Sequence, residues 1–231
     1  MKSNISKLFL AIVIFGWGID VAYSKSKIPP PGPTQQYKGR TLIGSSYPNV
    51  RNKLFFETVK IAIDLMEKLP KNLRKYPRAI KRIYYDPPSK HRKAKGIKTN
   101  IVGVYTYGSN IKKIAPVIIY QDMKYSSGLR VALSLLGNGL RAFEHKNAIK
   151  LIRKLQYMRA NKNKFSFQQI EKTKNSLRKF FLRISRKDMK LVKKFECKSM
   201  RVKFEAYKAF NLGARRTDAL ARKISRRNCW K

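Results

Sequence analysis

Apolar residues first recur at helical spacing from Lys53 onward. Leu54, Phe55, Val59, Ala62, Ile63 and Met66 fall three and four apart, and "KLPKN" ends that helix at Pro70. The pattern then turns strand-like. "AIKRIYYD" (79–86) stops at a Pro-Pro pair, while "NIVGVYTY" and "APVIIYQD" flank "GSNIKK" and predict two strands paired as a hairpin or meander. After Asp122 the helical period returns. Residues 126–145 place Leu129, Ala132, Leu133, Leu136, Leu140 and Phe143 on one stripe of a helix. Ser127, Arg130, Ser134, Asn138, Arg141 and His145 fall on the other stripe. A further basic helix is expected over 147–160. "FSFQQI" is a start signal, with Ser166 as N-cap and Gln169 closing a capping box. The helix it opens runs to about Ile184, with Leu177, Phe180, Phe181 and Ile184 inward. A longer helix over 188–211 stops at Gly213, and "RRTDALARKISRR" forms the last. This order predicts an α+β fold: an N-terminal helix, a small three-stranded sheet, then a helical half, in a single domain over 51–231.

The first fifty residues read differently. Residues 25–50 hold five prolines with several Gly and Ser, which predicts an extended lead segment outside the packed fold. Before it, "MKSNISK" is a short basic start and "LFLAIVIFGWGI" an apolar run of twelve, with small residues at Ala22 and Ser24 in the spacing a signal peptidase accepts. The run falls short of the roughly 20 residues a bilayer span needs. Residues 1–24 are therefore expected to be a signal peptide, giving a secreted or periplasmic protein that starts near Lys25. An uncleaved N-terminal anchor is the alternative.

Charge narrows the partners. The chain carries 54 Lys and Arg against 12 Asp and Glu, a formal net charge of +42. Such a molecule is drawn to anything anionic. Outside the cytoplasm that means lipid headgroups, acidic polysaccharide or an exported protein, with sequence-independent nucleic-acid binding as an alternative. The expected contacts are Lys90, Arg92, Lys93 and Lys95 in the loop "KHRKAKGIK", and Arg215, Arg216, Arg226 and Arg227 near the C-terminus. Phe180 and Phe181 interleave with cations but fall on an apolar stripe, so they read as core and not as base-stacking platforms. The two cysteines, Cys197 and Cys229, fit no zinc or redox spacing. In an oxidising compartment they predict a disulfide worth roughly 3 kcal/mol, with two free thiols as the other option.

Catalytic chemistry has few carriers. No nucleophile-elbow, P-loop or dinucleotide glycine pattern occurs, and the only histidines are His91 and His145. His91 lies among cations in a loop. Glu144-His145 is expected at a helix end, where a solvated, weakly paired histidine is the ordinary outcome. A hydrolase could be built on that pair, or on Glu196 and Glu205, which are nine apart and share a helix face poorly.

A strand ending in "VIIYQD", a short turn and the helix "GLRVALSLLGNGLRA" resemble the frame of zincin-type metallopeptidases, and "ECKSMRVKFEAYKAFNLG" is similar to their downstream glutamate-bearing helix. The resemblance covers about residues 115–213. It implies that "SLLGN" occupies the HExxH slot, with Ser134 and Asn138 in place of the zinc-binding histidines and Leu135 in place of the general base. Glu196 matches the third ligand best, and Glu205 is the alternative. Ser and Asn are poor zinc ligands and Leu cannot take a proton from metal-bound water. The resemblance thus implies a degenerate, non-catalytic domain with no metal and no cofactor. Ser134, Asn138, Arg141, His145 and Glu196 are then expected to line an inherited ligand cleft, with Arg141 suited to a carboxylate or phosphate.

Overall fold

The computed structural model describes residues 31–48, 50–86, 103–105 and 113–230. The signal-peptide reading, His91 and the basic loop with Lys90, Arg92, Lys93 and Lys95 lie outside these residues. Among the described residues the fold is α+β, with five strands and six helices. The strands are β1 (Pro31–Tyr37), β2 (Arg40–Ser45), β3 (Arg82–Tyr85), β4 (Gly103–Tyr105) and β5 (Val117–Ile119). The helices are α1 (Asn52–Glu67), α2 (Lys71–Arg74), α3 (Gly128–Ala160), α4 (Phe167–Ile184), α5 (Met189–Ala209) and α6 (Ala214–Arg226).

The sheet has the order β1-β2-β3-β5-β4. β2, β3 and β5 run parallel at its centre, and the outer strands β1 and β4 are antiparallel to their neighbours. Helix α1 makes the crossover that parallel neighbours β2 and β3 require. Asn52 fixes where it starts. Its Oδ1 accepts from the Ser45 N–H at 2.7 Å, and its Nδ2 donates to the Ser45 carbonyl at 2.9 Å.

From residue 31 on, the lead segment is part of the packed fold, and among the described residues a strand comes before the first helix. Residues 31–45 form a hairpin, and Leu42 is fully buried in the core. The prolines permit this because β1 is an outer strand. Register shifts between Pro31 and Thr34, so Pro33 sits in an irregularity where a missing N–H leaves no ladder bond unmade. Lys38 and Gly39 turn the hairpin, both with positive φ (44° and 71°), which is the pattern of a type I′ turn. Two strands are thereby added to the expected three.

One apolar cluster joins Leu42 of β2, Val59 and Ile63 of α1, Ile83 of β3 and Leu136 of α3, and extends to Val202 and Ala206 of α5. Helix α3 is a single element of 33 residues where two helices were expected. "EHKNA" contains no Gly or Pro to break it, and buried Ala148, Ile149, Leu155 and Met158 carry the apolar stripe onward. The capping box of Ser166 and Gln169 opens α4 as expected, but Phe181 is 37% exposed while Phe180 is buried. Gly213, at φ 76°, separates α5 from α6. A Cys197–Cys229 disulfide, with Cα atoms 4.9 Å apart, ties the C-terminus back to α5 around a small cluster containing Ile224.

Candidate functional site

The "SLLGN" stretch lies on α3 directly beneath β4. Leu135 and Leu136 are core residues, buried on the apolar side. Asn138 is also buried, and its amide grips the strand's backbone. Oδ1 accepts from the Tyr105 N–H at 2.9 Å, while Nδ2 donates to the Gly103 carbonyl at 3.1 Å and to the Ser134 carbonyl at 2.9 Å. Ser134 stands against the same strand: a Cβ on Gly103 would lie 3.3 Å from its Oγ. The Asn138 amide therefore fastens an outer strand to a helix, with Ser134 packed against the same strand.

One turn and more further on, His145 adds a second fastening. It is fully buried, and its Nδ1 is hydrogen-bonded to the Tyr105 hydroxyl at 2.7 Å. Its ring also lies near-parallel to Phe180 of α4, with centroids 6.2 Å apart. The expected solvated histidine is thus a core residue, because α3 continues past it and α4 covers it. Glu144 points elsewhere. Its Oε2 pairs with Arg183 at 2.6 Å and its Oε1 with Lys198 at 2.9 Å. Neighbours on a helix face directions about 100° apart, so Glu144 and His145 have different partners.

The five residues expected to share a cleft are not all brought together. Ser134, Asn138 and His145 meet β4, with α4 covering His145. Arg141 is exposed. Glu196 pairs with Arg227 at 3.3 Å beside the C-terminal disulfide. What α5 brings against the slot helix is a cation: a Cβ on Gly137 would lie 3.4 Å from Lys203 Cε. Burial pushes the Lys203 ammonium below the ordinary lysine value, and the charges of Arg141 and Lys223 add to it. Among the described residues no group of three or more His, Cys, Asp and Glu could hold a metal ion.

The Lys203 environment carries a prediction. The folded chain releases this proton at lower pH than the unfolded chain does, so the unfolded state holds more protons and stability gains as pH rises toward the ordinary lysine range. Lys203→Met should raise stability by about 1 kcal/mol near neutrality. Thermal melting should move up by about 3 °C, and the gap to the parent chain should shrink at alkaline pH.

Two clefts lie on the cationic surface. One, of about 500 Å³, is formed by Lys38, Arg40, Glu67, Arg78 and Lys81. Arg78, hydrogen-bonded to Glu67, and then Arg40 hold that carboxyl below its ordinary value, and Arg40 itself is buried. The other, of about 390 Å³, lies between α3, α4 and α5 around the Glu144–Arg183 pair, with Lys179, Lys194 and Arg201 at its margin. Its floor is apolar and aromatic: the Arg183 guanidinium carbon lies 4.2 Å from the Phe195 ring centroid.

Most acidic side chains in the described residues are already engaged. Asp64 bonds Lys38 and Tyr37, Glu171 pairs with Lys174, and Asp122 and Asp188 cap helix starts. With Glu67, Glu144 and Glu196 also paired, the great majority of the cations have no carboxylate to neutralise them. From Met123 to Trp230 the chain has 30 Lys and Arg against six Asp and Glu. Arg215, Arg216 and Arg226 on α6 are exposed, as is Arg227 beside its Glu196 partner. The charge density is plain in the sequence; the fastening of β4 is not, since Asn138 and His145 meet partners 33 and 40 residues away. No known protein family, curated protein or solved structure matches the chain.

Proposed function

We propose that this is an exported, non-catalytic and strongly cationic binding protein that attaches to anionic partners through its helical half. The observation that carries the proposal is the excess of thirty basic over six acidic side chains from residue 123 to residue 230. Long-range attraction of this kind is not selective for sequence and acts on headgroup phosphates and acidic polysaccharide alike. Its frame is a degenerate zincin-like one. Two facts support that part: β5 leads through the turn Met123–Tyr125 into α3, and the slot on α3 has Ser134, Leu135 and Asn138 where a working site needs two imidazoles and a carboxylate.

Retention on immobilised heparin and on vesicles containing phosphatidylglycerol, followed across a salt series, tests the proposal. Binding should be strong at low salt and lost before about 1 M, where the screening length is about 3 Å. Retention that persists at that concentration overturns the electrostatic reading. Zinc titration with a casein assay tests the other half. Tight one-to-one uptake with cleavage, abolished by Ser134→Ala or Asn138→Ala in folded protein, would overturn the non-catalytic reading.

A further inference from the structure

Among the described residues, helices α3 and α4 outrun the rest of the domain. Helix α5 runs back along α3: Leu191 and Leu151 line one cleft, and Lys203 meets Gly137 further down. Beyond about residue 152, α3 and α4 continue as a two-helix hairpin. Ala142 is the last buried α3 residue of the main apolar cluster, with Phe143 packed against it, and from Ala142 to Ala160 the helix extends about 27 Å. Leu155, Met158 and Thr173 are buried between the two helices and hold them together.

The tip of this hairpin combines two features. Phe167, at the first position of α4, is 76% exposed, and Tyr157, in the last turn of α3, is 57% exposed. They are not on a loose loop. Asn161 caps α3 through the Tyr157 carbonyl, and a 3-10 turn, Lys162–Lys164, closes with its own backbone bonds. Around them the sequence from His145 to Ile170 has seven Lys and Arg and no Asp or Glu. Lys154, Arg159, Lys162 and Lys164 are all exposed there.

We infer that this tip is a membrane-docking site, which seats Phe167 and Tyr157 in the interfacial layer of an anionic bilayer while the surrounding cations meet headgroup phosphates. The inference rests on the proposed binding to anionic surfaces and names the part of the molecule that meets lipid. Charge alone would suit any polyanion. Two projecting aromatic rings suit a lipid interface, where an apolar body leaves water and a hydroxyl stays hydrated. The cations add attraction that depends on anionic lipid and falls with salt.

The disulfide makes a clean test possible, because a cysteine introduced elsewhere is the sole free thiol. Full-length Phe167→Cys, labelled with nitrobenzoxadiazole, is mixed with vesicles of phosphatidylcholine and phosphatidylglycerol. Label emission should rise several-fold and be quenched by nitroxide-bearing lipid. The same label at exposed Ser176, further along α4, should answer neither way. A label at 167 that stays as exposed as in buffer while the protein sediments with the vesicles overturns the inference, and so does an equal response at 176. The double variant Phe167→Ser, Tyr157→Ser should lose roughly tenfold in vesicle partitioning, given the apolar area withdrawn from lipid, with its heparin elution unchanged. The N-terminal apolar run is common to every variant and drops out of the comparison. Equal loss on heparin and on vesicles would also overturn the inference. A parent chain that binds neither removes the broader proposal, and this one with it.

Discussion

Gly139→Ala should destabilise the protein by about 3 kcal/mol, the upper range for overpacking, while Gly137→Ala on the same helix should stabilise it. A Cβ at 139 would lie 2.7 Å from both the carbonyl carbon and oxygen of Tyr76 and 2.8 Å from Cα of Pro77. Those atoms are backbone and belong to the turn Pro77–Ala79 that feeds β3, so they cannot swing aside as a side chain can. At 137 the new methyl would meet only Lys203 Cε, at 3.4 Å, the end of a flexible chain. There the intrinsic preference of alanine over glycine in a helix, up to about 1 kcal/mol, has nothing to oppose it. Urea unfolding of the two variants measures both signs. A Gly139→Ala protein as stable as its parent would mean that the Tyr76–Pro77 turn is not seated on α3.

Asn138→Ala is the second large effect, at about 3 kcal/mol. Removing the amide leaves the Tyr105 N–H and the Gly103 carbonyl without the partner they have now, and each buried polar group stranded in this way costs about 1–3 kcal/mol. Melting should fall by about 9 °C, and exchange of the Tyr105 amide should accelerate more than the global loss accounts for. The informative companion is Asn138→His. It supplies the imidazole that the proposed zincin-like frame would need at this position, yet should be destabilising too, because a neutral imidazole has a single N–H and cannot replace the amide's one accepted and two donated bonds. Undiminished stability in either variant would mean that β4 is held by other contacts.

How far the fold could be read in advance depends on where its determinants lie. The capping box at Ser166, the Gly213 stop and the stripe over α1 are local, and the chain follows them. The β1–β2 hairpin was hidden by its own prolines. An outer strand tolerates them, and the usable signal was "KG" between short runs, a two-residue turn with glycine second. The length of α3 was hidden by expecting a boundary near His145, where a charged pair looked like a helix end. The site was less legible still. Ser134, Asn138 and His145 share one stripe, as the periodicity says, but a stripe does not say what covers it. Here β4 and α4 cover it, and Tyr105 and Phe180, which meet Asn138 and His145 respectively, are each more than 30 residues away in the chain.

Helix α3 is shared property. Its first half is a wall of the sheet's core, and its second half is one of the two rods of the hairpin, with no glycine, proline or irregular turn between Leu140 and Ala160 at which the two could part. Heat or denaturant that loosens the strands must therefore drag the bundle with it, so melting should be a single event of the whole chain rather than two. A push felt by Phe167 at the far end travels along an uninterrupted rod to the seam where Asn138 holds the strand.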